Sequence, residues 1–204
     1  MLLCAITDRK RTNQPLLSMA EGWSRGGVDF IQLREKDLDA TELQSLAREV
    51  MAKIDRSRTR FLMNVSTPEW AEMALAAGAD GVHLAGKPTR GTASRVRQAF
   101  RSRVPIISVP CHSLEDVDLA HEEGVDLMLF SPIFQKVSGE KVSGDEVSAP
   151  QGLEGLRGAC VRARGIPVLA LGGVTTGNAP DCVAVGAAGI AAIRLFAGDD
   201  WRRL

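Results

Sequence analysis

Short apolar runs alternate along the chain with longer amphipathic segments. The runs fall at residues 2–6, 28–33, 61–63, 81–84, 105–109, 127–130, 167–171 and 189–193. Continuous apolar runs of this length suit strands buried on both faces, as in a parallel sheet. The segments between them carry helical spacing. Residues 41–54 place Leu43, Leu46, Ala47, Val50 and Ile54 on one face. Residues 68–77 follow Thr67, which reads as an N-cap, and begin with Pro68 at the first turn. Residues 113–123 open with Ser113-Leu114-Glu115-Asp116, a capping-box pattern, and stop at Gly124. Residues 178–185 stop in the same way at Gly186.

Eight strands alternating with helices predict one (β/α)8 barrel spanning residues 1–204. Such barrels usually need about 250 residues. Little chain follows the eighth run, so the last helix is expected to be short or incomplete. An open doubly wound sheet shares the alternation, but it would carry a glycine-rich turn after its first strand. Here that turn reads Thr7-Asp8-Arg9-Lys10, and the glycine pair, Gly172-Gly173, comes after the seventh run. The long loop at 131–150 is rich in Gly, Ser, Lys and Glu, and a loop of that length in a compact domain is usually functional or mobile.

The formal net charge is zero and the cations are scattered, which argues against nucleic acid or an acidic membrane as partner. The most basic stretch, 53–60, reads as a solvated helix end. No segment approaches the roughly 20 apolar residues of a membrane span, and the run at 2–6 is too short for a signal peptide. A cytoplasmic protein is expected. The four cysteines, Cys4, Cys111, Cys160 and Cys182, form no CxxC pair and no zinc spacing. They read as free thiols, with a catalytic role for Cys111 as the alternative.

Barrel active sites lie at strand C-termini. After the second run, alternation sends Gln32 and Arg34 to one side, with Lys36 just beyond. Two cations and an amide at one rim suit phosphate or pyrophosphate. The competing reading is a surface ion-pair cluster with Glu35 and Asp37. Asn64 follows the third run, His83 ends the fourth, and Ser108 and His112 follow on the fifth. His83 reads equally well as structural or catalytic. His112 stands at a helix start, where the dipole favours neutral imidazole, so it is a candidate general base or a capping residue. Gly172 and Gly173 let backbone approach an anion, and Ile193 and Arg194 end the eighth strand beside them.

Several segments match one family in order and spacing over almost the whole chain. They are Ile6-Thr7-Asp8, Gln32-Leu33-Arg34-Glu35-Lys36, Asn64, Ala79-Asp80-Gly81-Val82-His83-Leu84, Ser108 to His112, Ser131-Pro132-Ile133-Phe134, Gly152-Leu153, and Ala170-Leu171-Gly172-Gly173-Val174 with Asn178. In these the chain resembles the thiamine-phosphate synthase and TenI superfamily. The resemblance implies a thiamin-biosynthetic (β/α)8 barrel that takes a small phosphorylated heterocycle. It is compatible with a homo-oligomer. Synthases join a hydroxymethylpyrimidine pyrophosphate to a thiazole phosphate with Mg2+. TenI-type tautomerases shift a proton on a carboxythiazole phosphate without metal.

The chain departs from the synthase pattern at the metal. Val65 stands where synthases carry Asp after Asn64, and residues 85–88, Ala-Gly-Lys-Pro, hold no acid where a second aspartate is expected. Val65 and Pro88 offer no hard oxygen ligand; Lys87 supplies a single charge instead. After Phe134 the phosphate-gripping threonines give way to Gln135-Lys136-Val137-Ser138, with Lys136 as the candidate contact, and Arg194 replaces a serine near the thiazole phosphate. These departures favour a TenI-like tautomerase with His112 as proton shuttle and with no cofactor or metal ligand. The alternative is a synthase, with Mg2+ as cofactor. A non-catalytic phosphate-ligand binder or regulator is the third reading.

Overall fold

The computed structural model describes residues 1–67, 70–100, 104–135 and 149–204. Eight parallel strands close into a barrel in chain order, each paired with its sequence neighbours, and β8 returns to β1. They are β1 (Leu2–Ile6), β2 (Phe30–Leu33), β3 (Arg60–Val65), β4 (Gly81–Leu84), β5 (Ile106–Cys111), β6 (Leu127–Phe130), β7 (Val168–Leu171) and β8 (Gly189–Ala192). The helices on the outside are α1 (Leu16–Arg25), α2 (Ala40–Met51), α3 (Ala71–Ala77), α4 (Thr92–Ala99), α5 (Leu114–Glu122), α6 (Gly152–Arg162) and α7 (Ala179–Ala184).

Strand alternation divides the core in two. Side chains pointing inward, Cys4, Ile6, Leu62, Leu127, Leu129, Leu169 and Ala191, fill the barrel. Side chains pointing outward, such as Ile31, Phe61, Met63, Val82, Met128 and Phe130, pack beneath the helices. Toward the C-terminal ends of β2–β5 the inward positions turn polar. There Asn64 is registered with His83, and His83 with Ser108. That polar layer sits on an apolar floor and opens at the barrel mouth.

The opposite face carries a repeated closing device. Gly27, Gly78 and Gly124 adopt positive φ at or just past the C-caps of α1, α3 and α5, a conformation that favours glycine. A buried Val28, Ala79 or Val125 follows, and then Asp29, Asp80 or Asp126. Each aspartate accepts, at 2.8 Å, the N–H of the second residue of the preceding strand: Leu3, Phe61 and Ile107. Gly186 and Ala187 repeat the turn before β8, with Ala188 in the aspartate's place.

The Ser113 cap expected from the sequence is present as a full capping box with Asp116. The first turn expected after Thr67 falls on residues 68–69; beyond it α3 runs from Ala71 with Trp70 as its N-cap, and the Trp70 N–H donates to the Thr67 carbonyl at 3.2 Å. Pro68 lies outside the described residues.

No α-helix follows β8 among the described residues. Two 3-10 turns, Arg194–Ala197 and Asp200–Arg203, take its place. They bring Phe196 edge-on to Trp23 at 6.2 Å between centroids, and Trp201 against Phe196 at 5.8 Å. The Trp23 indole N–H donates to the Phe196 carbonyl at 3.1 Å. An aromatic plug therefore covers the first and last strands, and the buried indole N–H is satisfied.

Candidate active site at the barrel mouth

Gln32 ends β2 inside the barrel and is 2% exposed. Its Nε2 donates to Asn64 Oδ1 at 3.1 Å, while its Oε1 has no partner among the described residues. A buried acceptor without a donor is costly, so this oxygen is a candidate ligand contact.

Arg34 is half-buried, and its backbone N–H donates to Thr7 Oγ1 at 2.9 Å. For Arg34 the competing cluster reading finds no partner among the described residues. Glu35 and Asp37 pair with Arg9 and Lys10 of the β1 loop, not with Arg34. Among the described residues no carboxylate faces the Arg34 guanidinium. Its charge is felt by His83, whose imidazole is held down to about 3, first by burial and then by Arg34 and His112. His83 is thus neutral at ordinary pH, with Nδ1 2.9 Å from Ser108 Oγ. Lys36 is exposed on the same rim.

His112 follows β5 directly. Its backbone N–H donates to Asp116 Oδ2 at 2.8 Å, and its carbonyl accepts from Gln151 Nε2 at 2.9 Å. Nδ1 lies 2.9 Å from the Ser131 carbonyl oxygen. A carbonyl only accepts, so in neutral His112 this contact favours the proton on Nδ1 and the lone pair on Nε2; the Ser131 hydroxyl lies 3.3 Å from the same Nδ1. That arrangement suits a base. Cys111 beside it is fully buried, and burial followed by Asp116 pushes its thiol up to about 12. It is no nucleophile.

The glycine turn answers a packing demand that the sequence did not reveal. Gly172 and Gly173 have φ of 94° and 68°. A Cβ on Gly172 would fall 2.9 Å from Pro132 Cα, and one on Gly173 would fall 2.7 Å from Phe134 Cβ. The Phe134 N–H donates to the Gly172 carbonyl at 3.0 Å. The segment 131–135 therefore ties His112 to the glycine turn. Asn178 Oδ1 takes the Thr175 N–H at 2.7 Å, and α7, which follows, is short. Ile193 and Arg194 sit just past β8, the first half-buried and the second exposed. Lys136 lies outside the described residues.

The described residues of the mouth do not fit a divalent cation. Val65 is buried and apolar, and residues 85–88 hold no acid. Asp8 is paired with Arg11 at 2.9 Å, Glu35 is turned onto Arg9, and Asp116 caps α5. Among the described residues no three His, Cys, Asp or Glu side chains gather as a metal set. The sequence missed Thr7, Ser131 and Gln151 as the groups that orient Arg34 and His112; each lies far from its partner along the chain.

Fold and site together define a (β/α)8 barrel with a cationic, amide-lined mouth suited to a phosphorylated ligand. The model of the family described as thiamine monophosphate synthase matches residues 3–196. The chain belongs to that family. It is 38% identical over 195 residues to an Aquifex aeolicus protein named "Putative thiamine-phosphate synthase 2", covering 95% of this chain and 96% of that one. It is 35% identical over 192 residues to the thiamine-phosphate synthase of Chlorobium luteolum, covering 94% and 83%. Among solved structures it resembles the thiamine phosphate pyrophosphorylase from Pyrococcus furiosus, with TM-score 0.78, 26% identity, and coverage of 99% and 90%. The chain is thus an enzyme-family member of thiamine biosynthesis, and among its described residues no helix is long and apolar enough to cross a membrane.

Proposed function

We propose that the chain is a synthase-type transferase that joins a pyrimidine carbinol diphosphate to a thiazole phosphate. This moves the preference away from the tautomerase favoured by sequence alone, because the relatives are named for synthesis. The observation that carries it is Arg34: half-buried at the mouth, with no carboxylate opposite among the described residues. In the step, the thiazole nitrogen forms a bond to the pyrimidine methylene. The C–O bond to the diphosphate breaks, and pyrophosphate leaves with the electron pair. Arg34 offers a bidentate fork to that growing charge, and Lys36 adds a second cation. Gln32 and Asn64 present an amide pair to the heterocycle beside it. Mg2+ is the family's implied cofactor. Its usual carboxylates are missing here, where Val65 and residues 85–88 offer no acid.

A second reading is favoured by one geometry. His112 has its Nε2 lone pair set by the Ser131 carbonyl, which is what a proton shuttle on a carboxythiazole phosphate needs.

One experiment separates them. Purified protein is given both synthase substrates, with Mg2+ and with EDTA. Pyrophosphate release that disappears in Arg34→Met supports the transferase. No release, together with EDTA-insensitive proton exchange on the carboxythiazole phosphate that is lost in His112→Ala, overturns it for the tautomerase. Tight binding of thiamin phosphate with neither turnover points to a binder.

A further inference from the structure

We propose that Glu35 is a positioning residue: clasped by Arg9, it holds Arg34 aimed at the anion and keeps the local negative charge away from it. The inference rests on the transferase reading, in which Arg34 receives the diphosphate.

Glu35 sits between the two rim cations in sequence, yet just past the end of β2 it is turned onto Arg9 of the β1 loop. Its side chain is 2% exposed. A carboxylate so buried must be paired and hydrogen-bonded. Both oxygens accept the Arg9 backbone N–H at 3.2 Å, and Oε2 also meets Arg9 Nη1 at 3.3 Å. The other arm of that guanidinium, Nη2, reaches Asp37 Oδ2 at 2.7 Å, and Lys10 joins Asp37 at 3.2 Å.

Further contacts stitch the same two loops. The Thr7 N–H donates to the Gln32 carbonyl at 3.0 Å, and the Arg34 N–H donates to Thr7 Oγ1 at 2.9 Å. The backbone is therefore fixed before, at and after Arg34. The last of these ties is the Glu35 carboxylate.

Two consequences follow. The Arg34 side chain leaves a backbone that cannot rotate, so less freedom is lost when it grips an anion. The acids nearest in sequence, Glu35 and Asp37, are already committed to Arg9 and Lys10 and do not compete with the ligand for Arg34. A carboxylate that only stabilised the loop would affect melting and not anion affinity.

The test measures binding of inorganic pyrophosphate by calorimetry to wild type, Glu35→Gln, Glu35→Ala and Arg9→Met, with melting curves for each. Wild type binds. Glu35→Gln keeps an acceptor for the Arg9 N–H and stays within about threefold of wild type. Glu35→Ala and Arg9→Met weaken binding roughly tenfold, the scale of one lost charged hydrogen bond. KM for the diphosphate substrate rises by the same ratio while kcat changes less. Equal pyrophosphate affinity in Glu35→Ala and wild type, or a lower melting temperature as the only change, overturns the positioning role and leaves the transferase reading standing. Failure of wild type to bind pyrophosphate overturns both. If Glu35→Ala does not fold, the Arg9→Met affinity decides: unchanged, it overturns the proposal.

Discussion

His112 Nδ1 lies 2.9 Å from the backbone carbonyl oxygen of Ser131. The carbonyl has no proton to give, so neutral His112 is the Nδ1–H tautomer and Nε2 is its basic nitrogen. The geometry predicts this state whether the imidazole moves a proton or only orders a ligand. Long-range proton–nitrogen correlation on labelled protein checks it. An Nε2–H tautomer with a bare Nδ1 would mean that the Ser131 hydroxyl, 3.3 Å from Nδ1, and not the Ser131 carbonyl orients the ring.

His83 makes acid stability a local question. Its folded-state pKa is pushed down to about 3 by burial, then by Arg34 and His112, against 6.5 as its ordinary value. Between those values the unfolded chain binds a proton that the folded chain refuses. Stability is therefore highest above pH 6.5 and falls as the pH drops toward 3. The slope approaches about 1.4 kcal/mol per pH unit well inside that window. His83→Gln keeps a polar partner for Ser108 and removes the titration. Urea unfolding of both proteins at several pH values in the window should show a shallower slope for the variant. Equal slopes would mean that His83 accepts its proton without unfolding.

How much of this was legible in the sequence depended on how far apart the partners stand. Runs buried on both faces marked all eight strands, because a parallel barrel leaves no polar alternation to confuse them. Ser113 and Asp116 announced their cap because the capping box is local. Glu35 looked like a partner for Arg34 and Lys36. It lies past the end of β2, and its true partner, Arg9 of the β1 loop, lies 26 residues back. The mouth residues Gln32, Asn64, His83 and His112 were named from strand ends alone. Their hydrogen bonds were not, since these join neighbouring strands and loops. The glycine pair was read as an anion loop, and its contact with Pro132 and Phe134 needed coordinates.

The missing eighth helix leads to the last prediction. Its position is covered by Trp201, which is 3% exposed and lies over Gly26. A Cβ on Gly26 would come within 2.2 Å of Trp201 Cη2. Gly26 has φ of −81°, so alanine strains nothing in the backbone and the clash alone is at issue. Gly26→Ala should expel the indole and cost about 1–3 kcal/mol through overpacking. Trp201→Ala should cost about 3–5 kcal/mol through the cavity it leaves beside Phe196. The two act on one contact, so together they cost less than their sum, with a coupling of about 0.5–3 kcal/mol. Denaturant unfolding of the four proteins measures that coupling, and tryptophan fluorescence of Gly26→Ala should show a more solvated indole. Strict additivity would mean that Trp201 does not rest on Gly26 in solution, and that the aromatic cover over β1 and β8 is held by Phe196 and Trp23 alone.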